Sequence, residues 1–115
     1  MVSRIVTGAR YGLRDWLAQR ITAVVMALYT LVFAVAIFNI PTLDYEHWRN
    51  LFAGSFMRFA TFLFFVSLFY HAWVGVRDIF MDYIKSAALR LSLHVLVIVA
   101  LAGYMGWATQ ILWRL

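Results

Sequence analysis

The sequence contains no cysteine. Disulfides, zinc–thiolate sites and cysteine-ligated iron–sulfur clusters within the chain are thereby excluded. Charge is scarce as well: 13% of the 115 residues are Asp, Glu, Lys or Arg, and only 5 are acids. The single proline, Pro41, sits with Asp44 and Glu46 in a short polar stretch and marks a turn there. There is no nucleotide-binding glycine motif, no internal repeat and no low-complexity tract.

What the chain has in abundance is apolar side chain, 65% of its residues. No soluble domain of this length could bury so much, so lipid must be its solvent. The net charge of +5 could suggest nucleic acid. In a membrane chain it reflects lysine and arginine held on one side of the bilayer, and no nucleic-acid partner is expected. Three spans leave no room for a soluble catalytic domain, so any chemistry occurs in the membrane or belongs to partners.

Three charge-free runs carry the fold: Ile21 to Leu43, Phe59 to Val76 and Leu91 to Trp113. A spanning helix needs roughly 20 apolar residues. The second run is short, but Leu51, Phe52, Phe56 and Met57 extend it, and Arg58 can snorkel toward headgroups. The first run exceeds the roughly 7–15 residues of a signal-peptide core and is expected to be a retained helix. The expectation is an all-α integral membrane protein, a single anchor-sized domain with three transmembrane helices at about 16–39, 51–80 and 88–113.

Arg4, Arg10, Arg14 and Arg20 precede the first run, against one acid, Asp15; Arg77, Lys85 and Arg90 follow the second, against Asp78 and Asp82. The intervening loop carries Asp44, Glu46 and Arg49. Positive charge therefore places the N-terminus and the second connection in the cytoplasm, and the C-terminus on the far, periplasmic side.

His71 is the only ionisable residue in the second run besides Tyr70. A histidine inside an apolar span needs a partner: a metal, a proton relay or another polar group. At 100° per residue, Ser67, Gly75, Asp78 and Asp82 all fall within about 40° of it, forming one polar, small-residue stripe if the helix reaches Asp82. Such a stripe faces protein or cofactor rather than lipid. Gly75 would let a flat cofactor or a second helix approach the backbone.

His71 lies roughly 5 Å to the cytoplasmic side of its span's middle, and Tyr83 about 18 Å further along. Tyr83 and Asp82 suit the membrane interface, where acids flank loops and tyrosine joins the aromatic belt. A phenol there can also donate to a carbonyl, and Asp82 beside it could relay a proton.

His94, in the third run, competes with His71. A bis-histidine haem within one chain is conceivable, although the two depths differ; the alternative is a side chain bonding across a helix contact. His47, in the outer loop, is expected to be solvated. Arg20 is an anchoring charge or a partner for an anionic group such as a haem propionate. Asp15 is a helix cap or a charge near a polar site. Trp16, Trp48, Trp107 and Trp113 read as interface anchors.

These residues resemble those of the D-type hydrophobic membrane anchors of bacterial succinate dehydrogenase, complex II. The resemblance rests on Gly12-Leu13-Arg14-Asp15-Trp16 followed by Arg20-Ile21-Thr22-Ala23, and on His71-Ala72-Trp73-Val74-Gly75 followed by Asp82-Tyr83. The stretch after Leu89-Arg90-Leu91 agrees less specifically.

The resemblance implies a multi-pass protein of the bacterial inner membrane, with no catalytic activity alone. It would bind haem b together with a sister cytochrome b membrane anchor, and would partner an iron–sulfur subunit and a flavoprotein. Electrons from succinate would pass to ubiquinone near the cytoplasmic surface. By the same resemblance His71 is the haem iron ligand, Tyr83 hydrogen-bonds ubiquinone, and Arg20 lies near the haem propionates. Asp15 and Asp82 would shape the quinone surroundings. The alternatives are a cofactor-free three-helix structural or assembly protein, and the anchor of a fumarate reductase.

Overall fold

The structure is a computed structural model that describes residues 9–115, with side chains described from residue 12 onward. Four helices follow in order: α1 (Ala9–Phe38), α2 (Tyr45–Ala53), α3 (Ser55–Tyr83) and α4 (Ala87–Trp113). Arg4 and the side chain of Arg10 lie outside the described residues.

The three long helices contain 30, 29 and 27 residues. At 1.5 Å per residue they run about 40–45 Å, longer than the roughly 30 Å hydrocarbon core, so their ends reach into the headgroup layers. All three are apolar and long enough to cross a membrane.

α1 begins before the expected boundary. Arg14 and Asp15 therefore stand inside the helix, and Asp15 is not an N-terminal cap. α3 runs through Asp82 to Tyr83, which meets the condition for the His71 stripe. Its chain stops at Ile84, whose extended backbone still donates its N–H to Phe80 O at 2.9 Å. Three residues later α4 starts, with Ser86 Oγ accepting from the Leu89 N–H at 3.3 Å. So short a link makes α3 and α4 antiparallel neighbours.

The connection between the first two long helices holds a helix, α2, where a simple turn was expected. Asp44 caps α2 by accepting the His47 N–H at 2.9 Å. The His47 ring nitrogen Nδ1 lies 2.7 Å from the same carboxylate oxygen, so His47 is bonded rather than merely solvated. Leu51 and Phe52, expected to lengthen the second span, belong instead to α2, and the break falls at Gly54 (φ −69°, ψ 147°). The bend lays Trp48 and Phe52 against Phe33 of α1, each with ring centroids 6.0 Å apart. A straight continuation of α3 would lift both rings off α1.

α3 is the central helix, packed on α1 along one face and on α4 along another. Val74, only 1% exposed, sits at the heart of this packing. Tyr29 Oη and Thr61 Oγ1 bond across α1 and α3 at 2.7 Å. Phe69 stacks on Tyr104, and Trp113 meets Phe62 edge-on at 5.5 Å between centroids. At the same end of the molecule Arg58 donates to Leu115 O at 3.2 Å.

The assembly is only 21 Å thick along its thinnest axis, about two helix diameters. Most large apolar side chains therefore face outward, as Leu31, Val35, Leu96 and Val99 do. In lipid this is no defect, because acyl chains or neighbouring helices cover those faces.

Candidate functional site

Two helical stripes face each other near the start of α1. On α1, residues 12, 15, 16, 19, 20 and 23 follow the i, i+3, i+4 spacing of one helix face. On α3, His71 and Asp78 stand two turns apart on the expected stripe. Together they line a cleft of about 610 Å³. Its walls carry Asp15, Gln19, Arg20, His71 and Asp78, an unusual concentration of polar groups for this chain.

His71 is half-buried, and its Nδ1 lies 3.0 Å from Thr22 Oγ1 on α1. Its Nε2 makes no hydrogen bond among the described residues. The open room at Gly75 is real: a Cβ there would meet only Gln19 Nε2, at an ordinary 3.9 Å. Gln19 Oε1 is itself buried without a hydrogen-bond partner. The cleft thus offers one free imidazole nitrogen and one unsatisfied amide oxygen.

Arg20 lies at the rim, with its guanidinium 5.2 Å from the centre of the Trp16 ring. Among the described residues no carboxylate pairs with it, so its charge is available to an anionic group. Asp15 is engaged: Arg77 Nη2 donates to Asp15 Oδ2, tying α1 to the end of α3. Arg77 also lies 3.7 Å from Asp78, and its Nε is buried without a partner. Of the two expected roles for Asp15, the charge near a polar site is therefore the one seen.

Asp82 and Tyr83 do not line the cleft. Both are exposed on the last turn of α3, Tyr83 at 77%. They share the Asp15–Arg77 end of the molecule, one turn beyond Asp78 along α3.

His94 is not brought to His71. Its ring packs edge-on against Trp73 (5.5 Å between centroids) and stacks on Phe80 (5.7 Å), leaving Nε2 buried and unbonded. Trp73 and Phe80 lie about 160–180° around α3 from His71. Two histidines on opposite faces of one helix cannot share an iron. Among the described residues, moreover, no three His, Cys, Asp or Glu side chains cluster as a metal site. The described residues therefore offer a metal at His71 no set of three such protein ligands.

Thr22, Gln19 and Arg77 were not singled out from sequence. The α1 wheel holds the signal for the first two: Gln19 and Thr22 fall within about 40° of Asp15. Arg77 lies off the His71 stripe, and only the reach of its long side chain brings it to Asp15.

Fold and cleft together define a multi-pass membrane protein of three spans that presents a half-buried histidine in a polar cleft between two of them. Residues 3–106 match the family model described as succinate dehydrogenase/fumarate reductase transmembrane subunit. The chain is also 38% identical, over 105 residues and 91% of each chain, to the succinate dehydrogenase hydrophobic membrane anchor subunit of Coxiella burnetii. The chain belongs to the succinate dehydrogenase/fumarate reductase transmembrane subunit family.

Proposed function

We propose that this chain is one half of a two-subunit membrane anchor of succinate:ubiquinone oxidoreductase, in which His71 is an axial ligand of a shared haem b. The observation that carries the reading is the free Nε2 of His71 in a cleft where, among the described residues, no second histidine joins it. A porphyrin supplies four nitrogens and leaves only axial positions to the protein, so a single imidazole from each of two chains suits it. When bound, the haem supplies a one-electron station between the soluble subunits and the membrane quinone.

The residues of this chain take distinct parts. Gly75 keeps the α3 backbone approachable beside His71. Arg20, held on Trp16 and without a carboxylate partner among the described residues, receives a propionate. The exposed phenol of Tyr83 donates to a quinone carbonyl at the membrane edge, and Asp82 beside it passes a proton to that site. Asp15 bears on the quinone surroundings as half of an ion pair, holding the α1 and α3 ends together.

This end lies in the cytoplasm and the C-terminus in the periplasm of a bacterial inner membrane, a reading that the excess of positive charge at this end supports. An iron–sulfur subunit docks there, because this chain has no cysteine with which to hold clusters. A flavoprotein oxidises succinate behind it, and the anchor alone has no catalytic activity. The family description names fumarate reductase too, but the curated relative favours the succinate direction.

Affinity purification of the tagged chain from its native membrane tests the reading. The expected result is a flavoprotein, an iron–sulfur protein and a second small membrane subunit, with a b-type absorbance spectrum. Tyr83→Phe should keep that spectrum and slow quinone reduction at least tenfold. A purified complex without haem would leave the cofactor-free anchor as the correct reading.

A further inference from the structure

We infer that Thr22 fixes the tautomer of His71, placing the ring proton on Nδ1 and leaving Nε2 as the bare, ligating nitrogen; the inference rests on the reading of His71 as a haem ligand. Three distances carry it. Thr22 Oγ1 lies 2.7 Å from Ala18 O, 3.2 Å from Gln19 O and 3.0 Å from His71 Nδ1. A hydroxyl has one proton to give and two lone pairs to receive with. A carbonyl cannot donate, so the contact with Ala18 O uses the hydroxyl proton.

Only lone pairs then face Nδ1, which must carry a hydrogen and donate it. The lengths agree with this assignment: 2.7 Å is the common O–H···O separation and 3.0 Å the common N–H···O separation. A neutral imidazole protonated at Nδ1 has its lone pair on Nε2, the nitrogen that makes no bond in the cleft.

The setting holds this arrangement in place. Thr22 and His71 are both partly buried where α1 meets α3, which reduces competition from water for Nδ1. The bonds from Thr22 Oγ1 to the Ala18 and Gln19 carbonyls hold the side chain in the rotamer that turns its oxygen to Nδ1. An N–H donated to an oxygen also makes the opposite nitrogen more basic, and a hydroxyl does so more gently than a carboxylate. Thr22 is thus a positioning residue: it acts on iron only through His71.

Thr22→Val preserves shape and removes the acceptor; Thr22→Ser restores it. Loss of such a partner typically weakens metal affinity about 10–100-fold. The lower end is expected for a neutral, half-buried acceptor, about tenfold. The ferric state depends more on ligand basicity, so a tenfold loss confined to that state raises the midpoint potential by about 59 mV.

The test uses the purified complex for haem retention, redox potentiometry and electron paramagnetic resonance. Alongside, the full-length chain with ¹⁵N-labelled histidine, in lipid bilayers without haem, reports the ring protonation directly. The proposal expects the Nδ1–H tautomer at His71 in the wild-type chain. It also expects weaker retention and a raised potential in Thr22→Val, with near wild-type behaviour in Thr22→Ser. Unchanged potential and retention in Thr22→Val, with haem still bound through His71, would overturn it while sparing the functional reading. A complex with no haem would sink that reading instead; the labelled histidine then still decides the claim, because an Nε2–H tautomer refutes it.

Discussion

Breaking the Asp15–Arg77 pair should destabilise the anchor, and unequally from its two sides. The side chains are 26% exposed for Arg77 and 24% for Asp15, so the pair sits between the surface and buried regimes. Exposed pairs contribute about 0–1 kcal/mol, whereas stripping one partner from a buried pair costs about 3–5 kcal/mol. Arg77→Gln removes the guanidinium paired with Asp15 and also deserts Asp78. A loss of about 2 kcal/mol is expected, in the middle of that range. Asp15→Asn leaves Arg77 with Asp78, 3.7 Å away and 57% exposed, so about 1 kcal/mol is expected. Because the two changes delete one shared interaction, the double variant should lose less than the sum, with a coupling of about 1 kcal/mol. Unfolding of the complex in mixed detergent micelles, followed by tryptophan fluorescence, provides the measurement. Additive single effects, or Asp15→Asn costing more than Arg77→Gln, would refute the reasoning.

Other consequences are testable in the same preparation. Tyr29→Phe leaves the Thr61 hydroxyl, 5% exposed, without its 2.7 Å partner. That variant should lose about 1–2 kcal/mol, and adding Thr61→Val should recover part of it. The His47 backbone N–H, then its ring, hold the Asp44 carboxyl below the usual carboxylate range. A depressed folded-state pKa gives stability that is present above the ordinary carboxylate range and lost as pH falls through the lowered value. Protection of the amides of residues 45–53 should therefore fall in that acid window, whereas Asp44→Ala should lack that protection above the window and match the wild type below it. Gly75→Ala meets only the Gln19 amide and should be tolerated, whereas Gly75→Leu should abolish haem binding in a complex that still assembles; equal haem content in both would show that the room beside His71 is unused.

The long elements were legible because lipid leaves a coarse signature: charge-free runs bounded by arginine at Arg20, Arg58, Arg77, Arg90 and Arg114. The His71 stripe was legible because a helix has a fixed period. α2 was not, although Asp44 three residues ahead of His47 is a capping signal, because Pro41 and the acids made the stretch look like a plain turn. The helix exists through its tertiary contacts with Phe33, which no local pattern encodes. Arg77 and Asp15 are distant in sequence and meet because α1 and α3 run antiparallel, and the roles of Thr22 and Gln19 depend on which α1 face turns toward His71. The failure of His94 to join His71 follows from the same geometry: α4 packs on the opposite face of α3.

The central claim is that His71, not His94, holds a haem from this chain's side. It is tested most directly by the reduced-minus-oxidised absorbance spectrum of complexes carrying His71→Ala or His94→Ala. A wild-type b-type spectrum is expected in His94→Ala and its loss in His71→Ala, with all partner proteins still co-purifying. A normal spectrum in His71→Ala, or its loss only in His94→Ala, would contradict it.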